Sequence, residues 1–584
     1  MPSPLILAEH GQSRYQIVIA ADAPAPEQFA ARELAAFIGQ ICGCTLPIVP
    51  DSALPGPCEI LIGRCNRHLV LQSFFELPLS LEAEEFVIQT RHLCLAIVGG
   101  QPRGVLYGVY TLLEQLGCRW FTSTVSHIPA RQTLALPPLD IRQKPAFEYR
   151  EPYMRDAFNG LWCARNKMNS NKSDLAPDQG GRMKWYNFHH SFYQIINEKD
   201  YYDEHPEYFS LVDGKRLRVR SQLCLTNPDV VRIAIEKVRQ WIRDNPDCRV
   251  FSVGQNDWAN FCTCDSCKAL DEREGSHAGT MLHFVNQIAE AIEPDHPDVL
   301  IHTFAYQYTR QAPRTIRPRP NVIVRLCTIE CCFSHPLESC SHDRHGDHPG
   351  ENLFVRDLKA WSKITDRLYI WDYITNFSHY LQPFPNLRVL EANVQLFHRY
   401  GVKGVLEQGN FSYGGKGEMN ELRSYILAKL LWNPDYGAER AMDEFLTGVY
   451  GMAAQPIKAW LTRYHDAAAD HHAHINDPPE SPYFTDELLR EGEELFDRAE
   501  QLADDEAVLE RVRIARLGLR YVTLCRMDPA GPDRAEKLRQ LAADCKRYGV
   551  TEIWERKVLD TSFAFLEQGQ PERRREIPRW DYYM

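Results

Sequence analysis

The sequence lacks the features that mark membrane, exported and nucleic-acid-binding proteins. No stretch approaches the ~18 consecutive apolar residues that a membrane-spanning helix needs. The first five residues (MPSPL) do not begin a basic segment followed by a long apolar run. No signal peptide is therefore visible, and we expect a cytoplasmic protein. The 66 Lys and Arg are outnumbered by 78 Asp and Glu, giving a net charge of −12, which argues against a nucleic-acid partner.

The eighteen cysteines do not fit a disulfide framework. Such frameworks are typical of small exported domains with poor cores, whereas this chain has 584 residues and is 44% hydrophobic. A free thiol inside an apolar stretch behaves as a small buried hydrophobe. We therefore expect a reducing compartment and buried thiols at several positions, including Cys42, Cys94, Cys163 and Cys224.

The chain is too long for one compact core, and its residue pattern changes twice along the sequence. Residues 1–140 predict a small α/β domain, because short β-branched runs alternate there with segments of helical apolar spacing. Residues 437–584 contain no convincing strand and predict a helical domain. Its predicted helices cover 485–503, 505–527 and 533–547.

The middle segment, residues 145–436, alternates predicted strands with helices. This alternation favours a parallel sheet, and a count of about eight strands favours a closed (β/α)₈ TIM barrel. The predicted helices cover 228–244, 280–293, 352–364 and 387–400. The predicted strands cover 147–150, 250–253, 300–304, 322–326, 368–371 and 402–406, with two less regular strands near 167–169 and 186–188.

Carboxylates, amides and aromatic rings follow most of these strands. In a barrel enzyme the chemistry gathers at the carboxyl ends of the strands. Aromatic rings stack on the apolar faces of sugars while carboxylates and amides bind their hydroxyls, so the mixture predicts a pyranose pocket. The alternative is that acidic residues simply favour loops. The candidate binding residues are Arg155, His189, His190, Trp258, Tyr306, Trp371, Asp372, Tyr373, Glu407 and Asn410.

The adjacent residues Asn256 and Asp257 suggest how a glycoside could be cleaved. Glycoside cleavage needs a proton for the departing oxygen and stabilisation of an oxocarbenium-like carbon. A 2-acetamido sugar supplies its own nucleophile, the acetamide oxygen. We predict that Asp257 donates the proton and that Asn256 positions the acetamido group, with Glu330 as the rival proton donor. Asp257, Glu330, Asp372 and Glu407 are expected to converge on one mouth of the barrel.

Three cysteines, Cys262, Cys264 and Cys267, follow this pair within six residues. A zinc or iron–sulfur site is one interpretation, with a fourth ligand from among Cys327, Cys331, Cys332 and Cys340. The spacing lacks the second C-x-x-C half of a zinc ribbon, so structural thiols or one local disulfide are the favoured interpretation. No cofactor is expected.

Several motifs resemble known families. RGVLYGVY at 103–110 and GCRWF at 117–121 resemble the N-terminal domain that precedes the barrel of α-glucuronidases and β-hexosaminidases. HPEYF at 205–209, LCLTNP at 223–228 and QND at 255–257 with its cysteines are similar to domain-of-unknown-function family 4838. That group includes glycoside hydrolase family 163. The resemblance covers residues 15–435 and leaves the helical C-terminus uncovered.

The resemblance implies an endo-β-N-acetylglucosaminidase that acts on N-glycans by substrate assistance. In the similar family 20 hexosaminidases an Asp-Glu pair ends the fourth barrel strand, and Asn256 and Asp257 correspond to that pair. An α-glucuronidase-like hydrolase is the alternative, although no basic clamp for a uronate is evident. A non-catalytic glycan-binding protein is a third possibility. The expected partner in each case is a carbohydrate.

Overall fold

The computed structural model describes residues 4–67, 75–348 and 350–568. Its contacts group the chain into two compact units. Unit 1 contains residues 1–182, 419–457 and 499–512, and unit 2 contains residues 183–418, 458–498 and 513–584. The division into three domains at 140 and 436 remains a prediction. Among the described helices, none combines the length and the apolar character needed to cross a lipid bilayer.

Unit 1 is built around a six-stranded mixed sheet with the order β10-β5-β6-β4-β2-β3. Strands β2, β3, β4 and β6 run parallel, and β5 and β10 join antiparallel. The unit's strands are β1 Leu5–Glu9, β2 Tyr15–Ile19, β3 Ile48–Pro50, β4 Cys58–Ile62, β5 Phe86–Arg91, β6 Cys94–Gly99, β7 Arg119–Trp120, β8 Ser126–His127, β9 Thr133–Leu136, β10 Asp140–Gln143 and β11 Tyr149–Tyr153.

Two helices of unit 1, Ala25–Cys42 and Gly104–Gln115, pack against each other and against the sheet. The second helix approaches β6 closely at Gly108, where an added Cβ would lie 2.6 Å from the Ile97 side chain. Only a residue without a side chain fits at that contact. This explains the second glycine of the RGVLYGVY motif, Gly108.

Unit 2 contains a continuous parallel sheet of six strands with the order β21-β20-β17-β16-β15-β12. Two short antiparallel pairs, β13–β14 and β18–β19, lie in its connections. The unit's strands are β12 Trp185–Tyr186, β13 Leu211–Val212, β14 Lys215–Arg216, β15 Val250–Ser252, β16 Leu300–Ala305, β17 Val322–Cys327, β18 His342–Asp343, β19 Gly346–Asp347, β20 Leu368–Tyr373 and β21 Gly404–Gln408.

This parallel sheet is strongly curled. Trp185 on β12 and Tyr369 on β20 are four strand spacings apart, about 19 Å in a flat sheet. Their ring centroids are nevertheless only 6.0 Å apart. The side chains that meet in this way define the concave face of the sheet.

The structure corrects the predicted closed barrel. The described residues of unit 2 form a curled half-barrel sheet rather than eight closed strands. The segment 167–169 is not a strand, because Lys167 has a left-handed φ of 61° directly after the helix Gly160–Arg165. The segment near 186–188 contributes only the two residues of β12.

The predicted helices agree with the structure within a few residues. The best agreement is at Pro228–Asp244, where the Asn227 side chain accepts a hydrogen bond from the backbone N–H of Asp229 and Pro228 occupies the first helical turn. The N-cap and the proline are thus the signal in the LCLTNP motif. The described helices after residue 160 are Gly160–Arg165, Phe192–Ile195, Glu198–Tyr201, Pro228–Asp244, Asp265–Glu274, His277–Ile292, Leu353–Trp361, Leu390–Arg399, Asn420–Trp432, Ala438–Tyr450, Ala454–Ala467, Asp486–Gln501, Glu506–Arg526, Arg534–Arg547 and Leu559–Glu567.

Candidate active site

The carboxyl ends of the six parallel strands of unit 2 share one edge of the sheet. Parallel pairing requires this arrangement, because every strand runs in the same direction. The sequence-predicted residues of unit 2 lie along this edge or just beyond it. They are His189 and His190 after β12, Asn256 to Trp258 after β15, Tyr306 after β16, Glu330 after β17, Trp371 to Tyr373 in β20, Glu407 in β21 and Asn410 just after it.

Asp257 is the exposed carboxylate of this edge, with 57% of its side chain accessible. The Tyr306 hydroxyl donates a hydrogen bond of 3.0 Å to its Oδ1. The His190 Nε2 atom lies 3.6 Å from the same oxygen, while His190 Nδ1 lies 2.6 Å from the carbonyl oxygen of Gln255. If Nδ1 donates to that carbonyl, Nε2 carries a hydrogen only in the imidazolium form. Asp257 therefore has one hydroxyl donor and one ring that can donate to it when charged.

The loop that carries Asp257 is fixed by Ser221 and Gln222. The backbone N–H of Asn256 donates to Gln222 Oε1 at 2.9 Å, and Gln222 Nε2 donates back to the Asn256 carbonyl at 2.9 Å. The Asn256 side-chain amide donates to the Ser221 carbonyl at 2.9 Å, as does the Trp258 indole at 3.1 Å. Asn256 is buried, and one of its two side-chain amide hydrogens holds the loop. Its predicted role toward a substrate stays a prediction.

Glu330 is buried in an ion-paired network. Arg310 Nη1 lies 2.6 Å from Glu330 Oε2, and Arg310 Nε lies 2.9 Å from Asp357 Oδ2. Burial opposes the charge of Arg310, but the two carboxylates more than offset this effect and raise the pKa of the guanidinium above its ordinary value. The network therefore pairs the buried Glu330 side chain with a cation. Arg310 is a site residue that the sequence analysis missed.

Asp257 and Glu330 both affect the pKa values of two tyrosines, Tyr306 and Tyr373. Burial raises the pKa of Tyr306 well above its ordinary value, and both carboxylates add to the effect. The pKa of Tyr373 is also raised well above its ordinary value by burial, and Asp257 and Glu330 again contribute. The two carboxylates thus share one electrostatic environment at the mouth of the curled sheet.

Aromatic rings form the floor of this mouth. The half-buried Trp371 lies 5.6 Å from Phe188 and 5.9 Å from Phe304, measured between ring centroids. Its indole N–H donates to Gln408 Oε1 at 2.8 Å. Beneath this layer the buried guanidinium carbon of Arg325 lies 5.4 Å from the centroid of the Trp371 ring. Cation–π contacts of this kind stabilise a buried arginine among rings.

Asp372 and Glu407 form a separate pair. They are register partners on β20 and β21. Side chains alternate between faces along a strand, so the pair lies on the face opposite Trp371 and Tyr373. The predicted convergence of four carboxylates on one mouth therefore does not match the structure, which places two of them behind the sheet.

This rear pair is buried without a cation among the described residues. Burial raises the pKa of Asp372 to about 6, although the Thr328 hydroxyl and the Tyr373 N–H donate to it. Burial, with Asp372 as a second cause, raises the pKa of Glu407 well above its ordinary value. Glu407 Oε2 accepts no hydrogen bond within the described part of the chain. Burial therefore disfavours the charged form of both acids in this pair.

The remaining predicted residues have other surroundings. Asn410 is buried, and it donates to the Lys416 carbonyl and accepts from the Ser412 N–H, so it shapes its own loop. His189 is exposed. Arg155 is exposed and belongs to unit 1. The mouth of unit 2 is therefore defined by Asp257, Glu330 and the aromatic residues rather than by these three.

The cysteine cluster contains a fourth member that the sequence analysis did not select. The sulfurs of Cys262, Cys264 and Cys267 lie within 4.8 Å of one another and of Cys224. The four candidate partners named from the sequence do not occupy this position. The missed signal was the cysteine inside LCLTNP, forty residues before the cluster. All eighteen cysteines are free thiols, so the local disulfide is not formed.

Two comparisons with known proteins concern the N-terminal region and the complete fold. Residues 7–112 match the model described as "Glycosyl hydrolase family 67 N-terminus". The expected likeness to β-hexosaminidases is not supported, and membership of family 163 stays a prediction. No curated protein matches the chain in sequence.

Among solved structures, the chain is similar to BtGH115A, described as a family GH115 4-O-methyl-α-glucuronidase with specificity for decorated arabinogalactans. The TM-score is 0.59 at 12% identity, over 97% of this chain and 80% of that one. Weaker likenesses are to a GH138 enzyme targeting pectin rhamnogalacturonan II (TM-score 0.44, 9% identity, 95% and 98% covered) and to CpGH84B (TM-score 0.47, 12% identity, 97% and 98% covered). The likeness to BtGH115A shows a shared fold.

The family itself is shown by a longer match. The model described as "Domain of unknown function (DUF4838)" matches residues 120–462, more than half of the chain. The match includes all six strands of the curled sheet and the loops that carry Asp257 and Glu330. This chain therefore belongs to the DUF4838 family.

Proposed function

We propose that this chain is a glycoside hydrolase that uses Asp257 and Glu330 at the mouth of the curled sheet. The observation that carries the proposal is this pair itself, with one exposed and one ion-paired carboxylate beside the same phenols above an aromatic floor. Glycosidases use two carboxyl groups in different environments for different steps. The family 67 N-terminal match and the fold shared with a glucuronidase support the same class.

Asp257 is assigned as the proton donor. It is the accessible carboxylate of the pair, so a glycosidic oxygen can reach it, and a bound sugar would remove it from water. Glu330, paired with Arg310, is assigned to stabilise the oxocarbenium-like carbon as it develops. Tyr306 orients Asp257 through its hydroxyl.

A β-linked N-acetylglucosaminide is the favoured substrate class. Arg310 is occupied by Glu330 and Asp357, and Arg325 is buried beneath the rings, so the charge around the mouth favours a neutral sugar over a uronate. An acetamido sugar supplies its own nucleophile, which leaves the protein with the tasks of proton donation and orientation. Asn256, which keeps a second amide hydrogen and its Oδ1 atom, and the Tyr373 hydroxyl are the candidates for orienting the acetamido group, since the Tyr306 hydroxyl donates its hydrogen to Asp257.

An α-glucuronide is the second candidate. The N-terminal match and the likeness to BtGH115A favour it, since that protein is described as an α-glucuronidase. His190, beside Asp257 at the mouth, is the residue that can place a positive charge near a uronate. His190→Gln should weaken binding of an α-glucuronide more than binding of an N-acetylglucosaminide, because only the uronate carboxylate is attracted by that charge.

Hydrolysis of a glycoside panel tests the proposal. The panel contains aryl β-N-acetylglucosaminides, aryl α-glucuronides, N-glycans and glucuronoxylan fragments, and Asp257→Asn serves as the matched inactive variant. We expect turnover of one class by the wild-type protein and its loss on natural substrates in the variant. Binding of a glycan without turnover by the wild-type protein would instead assign a non-catalytic glycan-binding role.

A further inference from the structure

A second group of thiols and imidazoles lies in the connections of unit 2, outside the proposed active site. Cys332, His335, Cys340 and His472 each direct one donor atom to a common point, and these atoms lie within 4.8 Å of one another. Cys332 Sγ is 3.2 Å from His335 Nδ1 and 3.4 Å from His472 Nδ1. Cys340 Sγ is 3.6 Å from His472 Nδ1. Both thiols are buried, whereas both rings are half-buried.

The spacing of these atoms fits one tetrahedral ion. Ligands at about 2.0–2.3 Å from a zinc ion stand about 3.3–3.8 Å apart along the edges of a tetrahedron. The three measured donor separations fall in or next to that range. Two thiolates and two imidazoles also form the ligand set that zinc prefers in structural sites.

The orientation of His335 adds an independent observation. Its Nε2 atom lies 2.7 Å from the carbonyl oxygen of Ala469, while its Nδ1 atom points to the thiols. A metal-binding histidine usually donates its other ring N–H to a carbonyl or carboxylate, which fixes the tautomer with the free lone pair facing the metal. The backbone around Ala469 therefore prepares His335 to act as a ligand.

We propose that Cys332, His335, Cys340 and His472 bind a structural zinc ion. The site joins the connection that follows β17 to the segment 469–477, and Cys332 is only two residues after Glu330. The zinc would therefore fix the loop on which Glu330 lies. All four ligands belong to the same unit.

The four-cysteine cluster carries a second zinc site on different observations. Cys224 Sγ lies 3.6 Å from Cys264 Sγ and 4.0 Å from Cys267 Sγ. The expected edge of a tetrahedral zinc–thiolate site is about 3.8 Å. The Leu211 N–H donates to Cys262 Sγ at 3.3 Å, a contact that stabilises a bound thiolate. An iron–sulfur cluster fits less well, because its cysteines bind different iron atoms and stand further apart.

The two sites lie close in sequence to the two candidate carboxylates. Cys262 is five residues after Asp257, and Cys224 is two residues after Gln222, which holds the Asp257 loop. Cys332 is two residues after Glu330. Each zinc ion would therefore anchor one active-site loop, without touching the substrate.

Zinc content of the purified full-length chain tests both sites. We expect two zinc ions per wild-type chain, one after Cys340→Ser and one after Cys267→Ser. His342→Asn is the matched control, because its ring stacks 4.0 Å from that of His472 but is not among the four proposed ligands. It should retain two ions, and loss of zinc from this variant would overturn the ligand assignment. A wild-type chain with no zinc would overturn both sites.

X-ray absorption at the zinc edge of the wild-type protein keeps the test decisive if a variant fails to fold. One site supplies four sulfurs, and the other supplies two sulfurs and two nitrogens. The average over the two sites is three sulfurs at about 2.3 Å and one nitrogen at about 2.0–2.1 Å per zinc. A shell of oxygen ligands would overturn the proposal. Neither measurement uses a glycoside, so the result is independent of the proposed function.

Discussion

Two pairs of acidic residues lie at the same end of the same sheet, yet their surroundings differ in every respect. Asp257 and Glu330 lie at the mouth, where they share phenols and where Arg310 neutralises one of them. Asp372 and Glu407 lie behind the sheet, where no cation contacts them among the described residues and where their pKa values are raised. The front pair therefore contains a carboxylate with a cationic partner, whereas burial disfavours the charged form of both acids in the rear pair.

The difference follows from side-chain alternation. Trp371 and Tyr373 face the mouth, so Asp372 between them must face the opposite side. The presence of an acidic residue at the end of a strand therefore does not by itself show whether the residue belongs to the front pair or to the rear pair. This distinction would be wrong if substitutions in the rear pair lowered turnover while substitutions in the front pair changed only stability.

The largest expected effect is on turnover in Asp257→Asn. Loss of general acid catalysis costs about 10²–10⁴-fold in rate for a substrate with a poor leaving group. A nitrophenyl aglycone departs without protonation, so its hydrolysis should fall much less. The measurement is kcat for a natural glycoside and for its nitrophenyl analogue.

Asp372→Asn is the matched control, since it removes the same charge from the rear pair. It should retain most of the turnover on both substrates. Glu330→Gln is expected to lower turnover on both substrates, because the stabilisation of the oxocarbenium-like carbon is lost whichever aglycone departs. If Glu330→Gln spares the activated substrate and Asp257→Asn does not, the proton donor is Glu330.

The next effect is on stability in Arg310→Met. This variant leaves Glu330, whose side chain is only 7% exposed, buried without its cation, while Asp357 keeps its contact of 3.2 Å with Arg356. Breaking a buried ion pair in this way costs about 3–5 kcal/mol in the free energy of unfolding. Thermal unfolding of the wild type and the variant measures the loss.

Arg232→Met is the control for this experiment, since it breaks the exposed pair with Glu236, where the arginine side chain is 57% exposed. The cost there should be much smaller, because solvent screens an exposed ion pair. Equal losses in the two variants would show that the ion pairs of Arg310 contribute no more to the free energy of unfolding than a surface ion pair does. Adding Glu330→Gln and Asp357→Asn to Arg310→Met should recover part of the stability.

Much of the fold could be predicted from the sequence, because it rests on local signals. The helix at Pro228–Asp244 is indicated by its N-cap Asn227 and by apolar residues at helical spacing. The strands of the curled sheet are short apolar runs of the expected length. The number of strands was harder to predict, since the irregular segment at 167–169 begins with a left-handed residue that periodicity does not reveal.

The candidate site was less predictable, because it depends on contacts between distant segments. Asn256 has the sequence context of a substrate ligand, but its amide donates to the Ser221 carbonyl. Arg310 gave no motif, and its role follows only from its contact with Glu330. Cys224 and His472 are similarly far in sequence from the thiols beside them. Spacing in the sequence identifies neighbours that are close along the chain, but it does not identify contacts between residues that are distant in sequence.

A smaller effect is expected on the pH dependence of stability, which depends on the rear pair. The pKa of Asp372 is raised from 3.8 to about 6, so the folded protein retains a proton that the unfolded chain has released. The free energy of unfolding therefore falls as the pH rises from about 4 to about 6, and the loss persists above that range. The raised pKa of Glu407 extends the fall to higher pH.

Glu407→Gln should flatten this pH dependence. The variant carries no ionisable group at this buried position, so it is expected to be more stable than the wild type at pH 8. Thermal unfolding at pH 5 and at pH 8 measures the difference, with the exposed Glu272→Gln as the control. A variant that loses turnover as Asp257→Asn does, or that is less stable at pH 8, would place the rear pair in the catalytic machinery.

The smallest effect is expected from Tyr306→Phe, which removes a single hydrogen bond to Asp257. A hydrogen bond of this kind contributes about 0.5–1.5 kcal/mol, so turnover should fall by about 2–10-fold, while KM changes little because the aromatic ring remains. Tyr110→Phe is the matched control. It breaks a phenol–carboxylate bond of 2.9 Å to Glu33 in unit 1, and it should lower stability by a similar amount without changing kcat. If the two variants change kcat equally, Tyr306 acts only through the stability of the fold. If Tyr306→Phe alone lowers kcat, the hydroxyl orients Asp257 for proton donation.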